Sequence, residues 1–109
     1  MTPELKAKWL KALRSGDYKQ GAHQLRTRKG YCCLGVLCDV SGAGSWVKRG
    51  HGWQYEIGDE ILVGYAGTAG SLCSFNPFGV EHAIQGHVAD MNDCGRSFAE
   101  IADYLEEVL

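Results

Sequence analysis

Apolar residues recur with a helical period at both ends of the chain and with a strand period in its middle. Between residues 3 and 15, Leu5, Trp9, Ala12 and Leu13 fall on one face, the spacing with which an amphipathic helix buries one stripe. Thr2 can cap that helix, Pro3 suits its first position because no N–H is needed there, and Gly16 ends it. Lys6, Lys8, Lys11 and Arg14 occupy the remaining faces and read as a solvated surface. The closing segment repeats the arrangement with opposite charge. Ser97-Phe98-Ala99-Glu100 forms a capping box, and Phe98, Ile101, Ala102, Leu105 and Val108 define the buried stripe. Its outward Glu100, Asp103, Glu106 and Glu107 make the basic first helix its expected neighbour.

The middle of the chain changes texture. His23-Gln24-Leu25-Arg26, the turn Thr27-Arg28-Lys29-Gly30 and Tyr31-Cys32-Cys33-Leu34 predict a hairpin, which runs into two helical turns over Gly35 to Val40 closed by Ser41-Gly42. From Gly42 to Gly70 glycines alternate with Trp46, Trp53, Tyr55 and Tyr65, with turns at Arg49-Gly50-His51-Gly52 and Gly58-Asp59. Trp53, Tyr55 and Ile57 share one strand face, and Ile61 and Val63 mark another short strand. Gly64 to Gly70 lacks the Gly-Lys-Ser/Thr ending of a phosphate-cradling loop and reads as a flexible turn. Asn76-Pro77 predicts a short helix through about Gln85, with Phe78, Val80 and Ile84 as apolar members. Val88 and Met91 then lead into a turn at Asn92-Asp93-Cys94-Gly95. The sum is a single α+β domain over residues 1–109, with N- and C-terminal helices packed on a small antiparallel sheet and a Gly-rich aromatic β insertion. A chain of this length supports one hydrophobic core.

Composition narrows the class. Apolar residues at 45% and charged residues at 22% are globular values that exclude wholesale disorder. No run of eighteen apolar residues occurs and the N-terminus is charged, so no membrane segment is expected and the location is read as cytoplasmic. Ten of the eleven Lys and Arg lie in residues 1–50, against three Asp and Glu, a formal +7. The remaining residues carry one Arg against ten Asp and Glu, a formal −9. Because the basic residues are spread through ordered-looking sequence, the two halves are expected to attract each other, and without a recognition motif duplex DNA is not the expected partner. Five cysteines, two of them adjacent, fit a reduced compartment better than a disulfide framework. Paired zinc-ligand spacings are missing, so neither a metal nor another cofactor is expected.

Two chemistries compete for the remaining signals. Cys33, near a helix start where exposed backbone N–H groups can lower a thiol pKa, is the candidate nucleophile of a cysteine-dependent hydrolase. His23, His51, His82 or His87 would serve as base, and Asn92 or Asp93 as the group that orients it. Against this, cysteines in an apolar run such as Cys32 to Cys38 are commonly small buried hydrophobes, and Asn92 and Asp93 are ordinary turn formers. The binding reading uses Trp46, Lys48, Arg49, His51, Trp53 and Tyr55, flat rings interleaved with cations, which suit a nucleotide-like small molecule. Trp53 and Tyr55 also have a core reading. A third alternative is a structural protein–protein interaction module that forms a homo-oligomer through this Gly-rich aromatic segment.

Three blocks carry a resemblance: Tyr18-Lys19-Gln20-Gly21, the Cys-Cys-Leu-Gly-Val-Leu-Cys-Asp run from Cys32 to Asp39, and Met91 to Tyr104. They resemble small, uncharacterised phage and prophage proteins, a likeness that covers both ends and leaves residues 42–75 outside it. The resemblance implies a mobile-element origin and a place in the host cell cytosol. It also implies inhibition or sequestration of a host component, either a nucleotide-derived anti-phage defence signal or a host defence protein.

Overall fold

Helix ends fall where the capping chemistry puts them. The computed structural model describes residues 1–50, 52–62 and 77–109. Helix α1, Pro3–Ser15, begins with the Thr2 side chain accepting from the Leu5 N–H at 3.2 Å and ends at a left-handed Gly16. Helix α2 is Cys33–Ser41 and ends at a left-handed Gly42. Its cap is the Cys32 sulfur, which accepts from the Gly35 N–H at 3.4 Å. Helix α4, Phe98–Val108, carries both halves of the Ser97–Glu100 capping box.

Two expectations move. The predicted hairpin is present but short, β1 (Arg26–Thr27) against β2 (Gly30–Tyr31), because the backbone turns helical at Cys33 instead of extending to Leu34. The helix predicted to run from Pro77 to about Gln85 is instead α3, His82–Asp93. Gly79 takes φ of 73°, a left-handed value that stops a helix from running through it, while Phe78 and Val80 are buried beside it. As a result Asn92 and Asp93 belong to the last helical turn, and the turn begins only at Cys94.

The described strands pair antiparallel. The sheet adds β3 (Ser45–Arg49), β4 (Gly52–Ile57) and β5 (Glu60–Leu62), in the order β2-β1-β4-β3 with β5 also paired to β4. The turn at Gly58-Asp59 joins β4 to β5 as expected, whereas Val63 and the Gly64 to Gly70 segment lie outside the described residues. Helices and antiparallel sheet make the α+β fold that the pattern predicted.

Helix α1 packs on α2 and α4, α2 also meets α3, and α2 reaches the sheet at β2. Trp9, Leu13, Leu34, Leu37, Ile101 and Leu105 fill the centre. The indole of Trp9 is fully buried and donates to the Cys33 carbonyl at 2.9 Å, so its polar atom is satisfied inside the core. Close approach needs Gly35, where a Cβ would sit 1.9 Å from the Leu25 carbonyl oxygen. The opposite charges of the terminal helices do meet: Arg14 pairs with Asp103 at 2.8 Å and with Glu106 at 3.1 Å.

Candidate ligand-binding face

Strand register decides which of the aromatic and basic residues share a surface. Trp46 faces Tyr55 and Lys48 faces Trp53 across the β3–β4 pair, while Arg26 faces Trp53 across β1–β4 and Tyr31 across β1–β2. Directly opposed residues project to the same side of a sheet. One face therefore carries Tyr31, Arg26, Trp53, Lys48, Trp46 and Tyr55. Arg49 is opposed to Gly52 and alternates to the other face. His51 lies outside the described residues. Of the six residues singled out in the sequence, four thus share a face.

They are not equally accessible. Tyr55 is only 2% exposed, and its hydroxyl accepts from the Gly44 N–H at 2.7 Å and lies 3.4 Å from the Ser41 hydroxyl. Tyr55 anchors the face to the core. Trp46 and Trp53 are half-buried, and Lys48 is exposed at the outer end.

Three residues that sequence reasoning did not assign complete the surface. The Arg26 guanidinium lies 4.0 Å from the Trp53 ring centre, 5.0 Å from that of Tyr31 and 5.5 Å from that of Trp46, inside the range of cation–π attraction. It makes no ion pair with a carboxylate among the described residues. The rings themselves form a chain of edge contacts, Tyr18–Tyr31 at 5.0 Å, Tyr31–Trp46 at 5.8 Å and Trp46–Tyr55 at 4.9 Å. Asp39 ties this chain to α2 by accepting from the Trp46 indole at 3.0 Å and from the Tyr18 hydroxyl. Burial, and then the bond to Asp39, hold the Tyr18 phenol well above its ordinary pKa, and burial raises that of Tyr31. Both remain neutral donors at physiological pH. A signal for Arg26 did exist, because Arg26 and Tyr31 flank a four-residue turn, but the strand that brings Trp53 beside them is distant in sequence.

The cysteine block sits elsewhere. Cys33 is fully buried, its thiol 3.4 Å from the Val88 carbonyl oxygen. The expectation that the helix start lowers its pKa is corrected: desolvation pushes the thiol well above its ordinary value, and the backbone N–H groups do not offset it. Cys32 is raised to about 11 for the same reason. Asn92 comes within reach of this block, with its side-chain oxygen accepting from the Cys33 N–H at 3.2 Å and from the Gln20 amide at 3.0 Å. Its own amide donates to the Gly21 carbonyl at 2.8 Å. Asp93 accepts from the His23 N–H at 2.9 Å, and the His87 ring lies 4.7 Å from that of Tyr104, tilted by 49°. These contacts pin a loop and three helices together. Among the described residues no cluster of His, Cys, Asp and Glu is arranged to hold a metal ion, and no helix is long and apolar enough to cross a membrane.

The whole chain matches one protein family: residues 1–109 fit the model described as a domain of unknown function, DUF8296, and the chain belongs to that family. Nothing matches among curated proteins or among solved structures.

Proposed function

We propose that this DUF8296 member acts by binding and not by turnover, and that its ligand joins a flat ring to an anionic group, as nucleotide-type molecules do. Arg26 carries the reading. A guanidinium within cation–π reach of three rings, with no neutralising carboxylate among the described residues, keeps its charge and its N–H donors for an incoming anion. Half-buried indoles beside it offer stacking surface, which contributes roughly 1–3 kcal/mol per base in single-strand recognition. Lys48, opposed to Trp53, supplies a second positive charge. Trp46, Lys48, Trp53 and Arg26 form the contact surface on this reading, with Tyr55 beneath it. The burial of Cys33 favours binding over a cysteine-dependent reaction.

The resemblance of the Cys32 to Asp39 and Met91 to Tyr104 blocks to phage and prophage proteins supplies the context. The target is a host component, and a nucleotide-derived anti-phage defence signal is the class that matches a ring-and-cation surface. Thermal-shift measurement against nucleotides and cyclic nucleotides tests this. A ligand at a hundredfold excess over its Kd stabilises by about 2.7 kcal/mol, a rise in Tm on the order of 10 °C for a chain of this size. Arg26→Ala and Trp53→Ala are expected to abolish the rise. No shift with any nucleotide removes the nucleotide version and leaves a host defence protein as the target, to be sought by affinity capture from a host lysate.

A further inference from the structure

The β1–β2 hairpin carries a second set of donors. A groove of about 460 Å³ is lined by Ala22, His23, Gln24, Thr27, Arg28 and Lys29. Thr27 and Arg26 are successive in β1, so they project to opposite sides of the sheet, and the groove lies apart from the Arg26 ring face. Arg28 and Lys29 are exposed and form no ion pair among the described residues. The Gln24 carboxamide, packed so close to Gly52 that a Cβ there would meet its oxygen at 2.1 Å, has no hydrogen-bond partner among them either.

His23 is the distinguishing member. Its φ is 71°, the sole left-handed non-glycine among the described residues, a conformation that costs an L-residue roughly 1–2 kcal/mol. The strain is held in place from one side: Asp93 accepts from the His23 N–H at 2.9 Å and stands 3.5 Å from ring atom Nδ1. Asp93 stands at Nδ1 and not at Nε2, and His23 lines the groove. A strained residue fixed by a dedicated partner, next to two cations and an amide that are unpaired among the described residues, is how a fold pre-positions a binding residue.

We infer that this groove is an anion site for a phosphoryl group, with Arg28 and Lys29 supplying charge, and His23, Gln24 and the Thr27 hydroxyl supplying direction. The Thr27 oxygen accepts from the Lys29 N–H at 3.1 Å, which leaves its own O–H to donate. Several donors around two positive charges match a doubly charged tetrahedral oxyanion better than a planar monoanionic carboxylate.

Titration of the full chain with inorganic pyrophosphate at constant ionic strength, followed by amide and side-chain NMR shifts, tests the assignment. Saturable shifts are expected at His23, Gln24 and Thr27 to Lys29, with affinity reduced roughly tenfold or more in the Arg28→Ser/Lys29→Ser double variant. Asp93→Asn, which weakens the hold on His23 and leaves the hairpin intact, is expected to lower affinity with a smaller change. Trp53→Ala is expected to leave pyrophosphate binding unchanged, which separates this groove from the ring face. Repeating the titration with a nucleoside diphosphate on the Trp53→Ala variant, read at His23, Gln24 and Thr27 to Lys29, shows whether the phosphoryl group is recognised there alone, giving equal affinity, or with its nucleoside, giving a tighter one. Shifts that rise linearly without saturating, shifts spread equally over Lys6, Lys8 and Lys11, or undiminished affinity in the double variant overturn the site.

Discussion

Asn92 in the helical half and Arg26 on the sheet are both polar side chains packed among other side chains, yet they are treated in opposite ways. Asn92 is 3% exposed and makes three hydrogen bonds, two as acceptor and one as donor, to Cys33, Gln20 and Gly21. Arg26 is half-buried, touches three rings and has neither a carboxylate nor a hydrogen-bond acceptor among the described residues. A buried polar group left unpaired costs stability, so a fold that needs only to stand satisfies such groups, as it does around Asn92. Leaving a cation oriented but unneutralised is a different choice. The contrast separates a clamp from a receptor, and it can be broken at several points.

Cysteine labelling gives the largest effect. Among the described cysteines, Cys94 is exposed while Cys32, Cys33 and Cys38 are buried. Iodoacetamide on the native chain is expected to modify Cys94 at least about a thousandfold faster than those three, which must wait for opening of the core. Comparable labelling of Cys33 would return the block from packing to chemistry.

The two indoles come next. Trp9→Ala removes a fully buried ring and its bond to the Cys33 carbonyl, and is expected to cost about 3–5 kcal/mol in urea unfolding. Trp53→Ala, from a half-buried ring whose main contact is a cation, is expected to cost clearly less while removing ligand response. Equal losses would make the sheet face a second core. Asn92→Ala follows, at about 2–4 kcal/mol, because it leaves the Cys33 N–H and the Gly21 carbonyl without partners.

These expectations also mark what the sequence made legible. Thr2, Pro3 and Gly16 bound α1, and Ser97 with Glu100 starts α4, because capping is local chemistry that neighbouring residues state outright. Helix α3 departs from the span predicted for it, Pro77 to about Gln85, for the converse reason. Its inward positions are Gln85, Val88 and Asn92, so two of three buried residues are polar, and an apolar periodicity cannot show them. Their partners, the carbonyl of Val80 for Gln85 and the loop at Gln20 and Gly21 for Asn92, are supplied by the fold. Arg26 escaped likewise: alternation assigns Trp53 and Tyr55 to one face, but only the nonlocal pairing of β1 with β4 places a cation over Trp53.

The buried thiols add an alkaline test. Cys32 is raised by burial from an ordinary value near 9 to about 11. A thiol that ionises more easily in the unfolded chain contributes stability that is full below its unfolded pKa and is lost as pH rises through the folded one. Stability is therefore expected to fall between pH 9 and 11, with a contribution on the order of 2 kcal/mol from Cys32. Cys32→Ala should make this part of the profile shallower, with the buried Cys33 and Cys38 thiols, also raised by desolvation, supplying the slope that remains, whereas removing the exposed Cys94 should leave it unchanged.

The smallest effect is expected where the sequence signal was loudest. The formal +7 of residues 1–50 and −9 of residues 51–109 meet most visibly at Arg14, which bridges Asp103 and Glu106. Its side chain is 35% exposed and those carboxylates 75% and 61%, so water and salt screen the pairing. The two bonds raise the pKa of the guanidinium, which only keeps an already charged group charged. Arg14→Ala is expected to leave the urea midpoint nearly unchanged, and 1 M salt to remove what difference remains. A large loss, insensitive to salt, would mean that charge pairing holds the terminal helices together. The clamp half would then owe its cohesion to ion pairs as well as to the packing of Trp9 and the bonds of Asn92, and Arg14 would join Asn92 as a satisfied polar group set against Arg26.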